Sequence, residues 1–275
     1  MGAFSRVYKL YRSLHWYLQY RYTRTCGKFA NALTLLQFDD YCKILYLAPH
    51  SDDEWVGGYQ LLRVFTEKVT VLYFNRFGGN IAENNVLKRN SEIVLSSMKN
   101  NFRLENNFSY DVRLLLELLK KHQVVFLPSP YDWHDEHREV FKTFYKAYQI
   151  MSEDEQRNVS VFYYNVSVPH HYTSSLYYLP LSKNELNRKW NDFVEVYFSQ
   201  KFMPAYRYKL QSRLVPKYLC YAAEQYLKVD KQTIEKDYLT ISNKAVLTAL
   251  NSLKFSINNI YQVRILLHKI VESIL

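Results

Sequence analysis

Lys43-Ile44-Leu45-Tyr46-Leu47-Ala48-Pro49-His50-Ser51-Asp52-Asp53-Glu54 is an apolar run that breaks into a polar cluster. The run is short, rich in large apolar residues and closed by proline, which reads as a buried strand. Working outward, Asp53 to Phe65 reads as a helix, Val69 to Phe74 as a second strand and Glu83 to Met98 as a second helix. Asp111 to Lys121 is a third helix, followed by the strand Val124 to Leu127. A helix from about His137 to Tyr148 comes next, then a strand from Val159 to Val166. Strands alternating with helices imply βαβ units and a largely parallel sheet, an α/β fold. Such sheets bind ligands at the carboxyl ends of their strands. The residues after Ala48 and Leu127 are therefore the place to look for a site.

The flanks differ. In the N-terminal segment, Val7, Leu10, Tyr11, Leu14, Tyr17 and Leu18 follow helical spacing, with Arg6, Lys9 and Arg12 on another side. Such a helix either lies in a membrane interface or docks on its own domain with a solvated basic face. The second arrangement is the commoner one, and it is favoured here. From Ser182 to Leu275 the pattern is mostly helical. Val246, Leu250, Leu253, Ile257, Ile260, Leu267, Val271 and Ile274 form a heptad-like stripe. It packs either on its own domain, the favoured reading, or on another subunit as a homo-oligomer contact.

Six glycines and seven prolines in 275 residues exclude low-complexity architecture. The net charge of +10 points to an anionic partner: nucleic acid, a phosphorylated or lipid-linked substrate, or an acidic membrane surface. Cys26, Cys42 and Cys220 are too few and too scattered for a disulfide framework or a cysteine zinc site, so a cytoplasmic location is expected. Met1 to Arg24 is not read as a signal peptide, and no apolar stretch is long enough to span a membrane. The 26 tyrosines are expected at sugar-facing and interface-facing surface.

The chemistry gathers in two places. One is Pro49 to Glu54. The other, after the third strand, is Pro130-Tyr131-Asp132-Trp133-His134-Asp135-Glu136-His137-Arg138. Both should line one crevice. A catalytic zinc takes three protein ligands and leaves a position for water. His50 and Asp53 are three apart at a strand-to-helix turn, so their side chains can converge. His134 and His137 are also three apart and share a face if they open a helix. One histidine of that pair completes a His-Asp-His set, leaving Asp52 and the other histidine to move protons. The plainer alternative is a satisfied strand-end histidine, with Asp52-Asp53 as a helix cap. Two such motifs at two strand ends weigh against it.

At these residues the chain resembles the LmbE-like, or PIG-L, deacetylases. Their A-H-P-D-D-E motif is similar to Pro49-His50-Ser51-Asp52-Asp53-Glu54, and their H-P-D-H to His134-Asp135-Glu136-His137. Weaker matches are Arg89-Asn90-Ser91-Glu92, Asp111, and Tyr197-Phe198-Ser199-Gln200 with Lys189 upstream. The likeness covers roughly Lys43 to Tyr226. It implies a Rossmann-like, mostly parallel sheet flanked by helices. It also implies zinc (Zn2+) chemistry that removes an acetyl group from an N-acetylglucosamine-type substrate. Carried over, His50, Asp53 and His137 bind zinc, Asp52 is the general base, and His134 stabilises the oxyanion or acts as acid, tuned by Glu136. Arg89 and Asp111 would contact sugar hydroxyls or a phosphate, although a solvated arginine and a helix cap explain them equally well. Ser51 and Asp135 replace the motif prolines, which shape turns and are not ligands, so the metal site should survive. Glu136 replaces an aspartate.

The resulting organisation is a basic amphipathic segment at 1–40, a deacetylase-like domain at 41–229 and a C-terminal helical extension at 230–275. The expected partner is an N-acetylated amino sugar, free or on a polysaccharide or lipid-linked carrier. Residues 1–24 would supply any peripheral contact with the inner face of a membrane. The competing functions are an amidase on a non-sugar conjugate and a non-catalytic anionic-glycan-binding module. Nucleic acid is disfavoured, because no recognition motif appears. Gly78-Gly79 is either a plain turn or a place where backbone approaches substrate, and His170-His171 reads as a loop feature.

Overall fold

The computed structural model describes residues 3–27, 29, 32–74, 89–90, 92–96, 98–104, 111–170, 174–197, 203–256, 266, 269–270 and 273. The strands are β1 (Leu33–Leu35), β2 (Ile44–Ala48), β3 (Val69–Tyr73), β4 (Asn101–Leu104), β5 (Val124–Pro128), β6 (Ser160–Tyr164), β7 (Leu176–Leu181) and β8 (Ala222–Val229). The first helices are α1 (Ala3–Thr25), α2 (Asp53–Val64), α3 (Val112–Leu119) and α4 (Asp135–Ile150). They are followed by α5 (Glu153–Arg157), α6 (Lys183–Val196), α7 (Ala205–Ser212), α8 (Lys231–Ser242) and α9 (Lys244–Ser256).

The strands form one sheet in the order β1-β7-β8-β6-β5-β2-β3-β4. From β4 across to β6 every pairing is parallel, with Ile44 opposite Val69 on one side and Val124 on the other. β2 and β5 are buried along their whole length, as expected of parallel strands covered on both faces. The chain runs from β2 outward to β4, then returns to β5 on the other side of β2. The direction of winding reverses between β2 and β5, and that reversal opens a crevice at their carboxyl ends.

Alternation along the strands builds two cores. Tyr46, Phe126, Phe162 and Tyr226 pack on one face with Trp55, Trp190 and Phe193 of α2 and α6. Leu45, Leu47, Val125, Leu127 and Tyr163 pack on the other with α3, α4, α8 and α9. A third, small cluster of Trp16, Tyr20, Leu210 and Leu214 docks α1 on α7.

Three expectations change. β8 lies inside the stretch read as mostly helical, and it pairs antiparallel with both β6 and β7. Its Ala-Ala-Glu-Gln start has weak strand preference, and burial between two strands overrides it. Many tyrosines are core residues rather than surface: Tyr46, Tyr59, Tyr73, Tyr163, Tyr164, Tyr197 and Tyr226 are fully buried. The hydroxyls of Tyr46, Tyr163, Tyr164, Tyr197 and Tyr226 each meet a buried acceptor, as where Tyr164 donates to the Leu47 carbonyl at 2.8 Å. On α1, the apolar stripe is left in water, with Lys9 and Arg21 exposed as well.

Of the C-terminal stripe, Val246 and Leu250 pack into the domain's own core. Most of its later residues lie outside the described ones, as does Gly78-Gly79. The expected helix from Glu83 is described only in part, with residues 89–90 and 92–96 helical. Cys26, Cys42 and Cys220 are free. Among the described residues no helix is long and apolar enough to cross a membrane.

Candidate metal centre

The turn from β2 into α2 is set by packing beneath it. Gly57 and Gly58 lie where α2 crosses the rings of Tyr164 and Tyr46. A Cβ on Gly57 would overlap the Tyr164 ring, and one on Gly58 would come within 2.7 Å of Tyr46. The absence of side chains lets the helix sit directly on the sheet, which fixes its first residue, Asp53, over the end of β2. Tyr46 donates its hydroxyl to the Asp53 carbonyl at 3.2 Å. Lys189 of α6 anchors α2: its carbonyl accepts from Trp55 Nε1 at 2.7 Å, and its Nζ donates to the Val56 carbonyl and Glu224, each at 2.7 Å.

Asp53 turns its carboxylate back toward the strand. Its Oδ2 accepts the His50 backbone N–H at 2.9 Å and lies 3.2 Å from His50 Nδ1 and 3.4 Å from His137 Nε2. One ligand atom from each of His50, Asp53 and His137 lies within 4.8 Å of the others. Zinc bonds of about 2.0–2.1 Å in a tetrahedral site place neighbouring donors about 3.3 Å apart. Two imidazoles and a carboxylate at these separations suit such an ion. Asp53 and His137 are buried, while His50 is half-buried and opens the site to solvent.

Asp52 occupies the N-cap position of α2, yet its side chain makes no capping hydrogen bond. Its backbone, at φ 155° and ψ −23°, is in a region that side chains rarely adopt. The plain helix-cap explanation therefore fails for this residue. Burial, then the neighbouring Asp53 and Glu54 carboxylates, push its pKa well up, against the pull of His137. Glu54 is buried too and rises to about 7, mainly by burial. It accepts the Asp52 N–H at 2.9 Å and the Tyr197 hydroxyl.

The second motif enters from β5. His134 is the N-cap of α4 and His137 lies in its first turn. Their rings stack at 4.9 Å between centroids, and His134 lies flat on Trp133 at 3.6 Å. Burial lowers the His134 pKa, so its neutral form is favoured. His137 behaves oppositely. Burial disfavours its charge, but Asp53 and Asp132 outweigh that and raise it to about 10. The pocket is thus electrostatically shaped for a cation.

Asp132, to which the sequence alone assigns no role, belongs to the site. It is buried, with Oδ2 facing His137 Nδ1 at 3.4 Å. Its Oδ1 accepts the His134 N–H at 3.1 Å, and its Oδ2 accepts the Ser167 N–H at 3.1 Å. Despite burial its pKa falls to about 2, through His137 and His134. A carboxylate behind a ligating histidine leaves the far ring nitrogen available to a metal. Glu136 does not pair with His134. No hydrogen bond or ion pair joins it to the site among the described residues, and the carboxylate beside His134 is Asp132. On a helix, Glu136 is about 100° round from His137 and points elsewhere. The C-terminal helices brace the same loop. Asp237 of α8 accepts from Tyr131 at 2.5 Å and from Tyr163 at 2.9 Å, while Asn251 of α9 accepts from Arg138 at 2.8 Å.

Asp111 caps α3, accepting from Arg113 N at 2.8 Å and Leu114 N at 3.2 Å. Arg89 is helical and exposed. His170 is buried in its loop, and His171 lies outside the described residues.

No protein-family model matches the chain. No curated protein matches it. Solved structures do. A conserved protein of Thermus thermophilus aligns at TM-score 0.52 and 21% identity, covering 68% of this chain and 94% of that one. An N,N'-diacetylchitobiose deacetylase from Pyrococcus horikoshii aligns at 0.50 and 13%, covering 69% and 84%. A 4-carboxy-2-hydroxymuconate hydratase from Pseudomonas putida also aligns at 0.50 and 13%, covering 68% and 96%. A deacetylase and a hydratase on one scaffold leave the reaction to the side chains, so these likenesses show a shared α/β fold and nothing finer.

Proposed function

We propose that this chain is a zinc-dependent N-deacetylase that hydrolyses the acetamide of an N-acetylglucosamine-type sugar to free amine and acetate. The observation that carries the reading is Asp53 Oδ2 set 3.2 Å from His50 Nδ1 and 3.4 Å from His137 Nε2 at the point where the sheet reverses. The motif resemblance to LmbE-like enzymes, with their Rossmann-like sheet, supports the substrate class, and a diacetylchitobiose deacetylase shares the α/β fold.

His50, Asp53 and His137 would hold the ion, which supplies positive charge that acidifies water and polarises an amide carbonyl. Asp52, buried and with a strong appetite for a proton, takes the proton of the attacking water. His134, on the rim beside His137, stabilises the developing oxyanion through its ring N–H and relays the proton that Asp52 took from water to the departing nitrogen. Asp132 holds His137 in the orientation that binds. Arg89 and Asp111 are assigned to sugar hydroxyls or a phosphate. The catalytic unit is taken as residues 41–229, in a cytoplasmic setting.

The test is acetate release by zinc-loaded protein from free, nucleotide-linked and lipid-linked N-acetylhexosamines. Release that disappears in Asp52→Ala, His134→Ala and metal-stripped protein is the expected result. Undiminished turnover by Asp52→Ala would sink the mechanism. Release from non-sugar acetamides alone makes the protein an amidase. Tight glycan binding without release makes it a binding module.

A further inference from the structure

α1 is docked the wrong way round for a helix whose only role is to cover its own domain. The residues that hold it are Trp16 and Tyr20, packed on Leu210 and Leu214. Arg24 adds two hydrogen bonds, to the carbonyls of Arg213 and Val215, at 2.8 Å each. Arg12 is stacked 4.7 Å over the Trp16 ring. The helix therefore attaches through its aromatic and cationic edge.

Its apolar stripe faces water. Val7, Leu10, Tyr11, Leu14 and Leu18 are 66%, 73%, 66%, 55% and 56% exposed. Positions 7, 11, 14 and 18 fall on one line along a helix, opposite Trp16 and Tyr20. Tyr17 and Tyr22, also exposed, flank that line, and exposed Arg21 lies near its end. A contiguous exposed apolar ridge of this kind marks an interaction surface.

We propose that the outer face of α1 seats the protein on an anionic lipid surface, with the helix lying in the plane of the interface. Charge decides among occupants. α1 carries five basic residues and no acidic one; Arg12 and Arg24 are engaged with the protein, Lys9 and Arg21 are exposed, and the whole chain has a net charge of +10. A second copy would bring like charge against like charge, whereas anionic headgroups complement it. Tyrosines bordering a leucine ridge match the change from acyl chain to headgroup. α7, on which α1 rests, also carries Arg207, whose Nη2 donates to the Ser167 carbonyl at 3.0 Å. Ser167 in turn holds Asp132. A short run of contacts thus joins the lipid-facing helix to the loop of the metal centre. The proposal does not depend on the reaction proposed above.

The experiment is flotation of the full chain with vesicles of phosphatidylcholine alone, or with about 30 mol% phosphatidylglycerol. A Leu14→Asp/Leu18→Asp variant is run beside it; both positions are exposed, and its folding is checked by thermal unfolding. Wild type should float with the anionic vesicles, and the double variant should lose about tenfold or more of that binding. Acetate release from a soluble substrate, scored separately, should be equal in the two proteins. The proposal is overturned if wild type stays with the unbound fraction, or if the folded double variant floats equally well. It is also overturned if wild type is a lipid-free dimer that the double substitution splits, which would assign the ridge to a second copy.

Discussion

His137 Nδ1 faces Asp132 Oδ2 at 3.4 Å, across the turn that leads from β5 into α4. This contact orients the histidine whose other nitrogen points at Asp53. Replacing Asp132 by Asn keeps the shape and removes the charge. Metal affinity should fall about 10- to 100-fold, read by competition with a chromogenic chelator. Unchanged affinity would mean that Asp132 merely ties down the loop through Ser167 and His134.

Arg138 is buried and ties that loop to the C-terminal extension. Its Nη1 donates to the Asp132 carbonyl at 2.6 Å and its Nη2 to Asn251 at 2.8 Å, and Asp135 pairs with it as well. Arg138→Met leaves a buried carbonyl without its charged donor and should cost about 2–3 kcal/mol in urea unfolding. Asn251→Ala, at an exposed acceptor, should cost about 1 kcal/mol or less.

Gly57 tests the seating of α2. Alanine ordinarily favours a helix, by about 1 kcal/mol over glycine. Here its Cβ would collide with the buried Tyr164 ring, so Gly57→Ala should instead destabilise by about 1–3 kcal/mol. A rise in melting temperature would show that the tyrosine ring gives way freely.

Asp237 predicts a pH dependence. Burial raises its pKa from 3.8 to about 6, outweighing the Tyr131 and Tyr163 hydroxyls and Lys236. The folded state then binds its proton more tightly than the unfolded state. The stabilising contribution is present in full below about pH 4 and is lost as pH rises through about 6. The stability of wild type relative to Asp237→Asn should therefore fall by up to about 3 kcal/mol across that window. Urea midpoints of both proteins at several pH values measure it. A difference that does not vary with pH would place the proton elsewhere.

The first strands, the helix opening at Asp53 and the crevice at two strand ends were legible because each is written in local periodicity. β8 was not. Alanine, glutamate and glutamine at its start prefer other conformations, and only its neighbours β6 and β7 make it a strand. The fully buried tyrosines were misread for a related reason. A hydroxyl is acceptable in a core only when an acceptor waits there, and residues such as Asp237, for Tyr163, and Glu54, for Tyr197, arrive from distant parts of the chain. α1 shows a third case: its amphipathic pattern was plain, but which side met the domain depended on Trp16 finding a surface on α7.

By itself the sequence determined that His50 meets Asp53 and that His134 lies near His137, because a three-residue spacing at a helix start brings side chains together whatever surrounds them. The spacing left open which of the two histidines closes the set; only the tertiary structure brings His137, the one the family resemblance named, to Asp53, and it sets Asp132 beside both His137 and His134, where Glu136 was expected to tune His134. Those choices depend on β5 pairing beside β2, a contact between segments some 80 residues apart that no local pattern encodes.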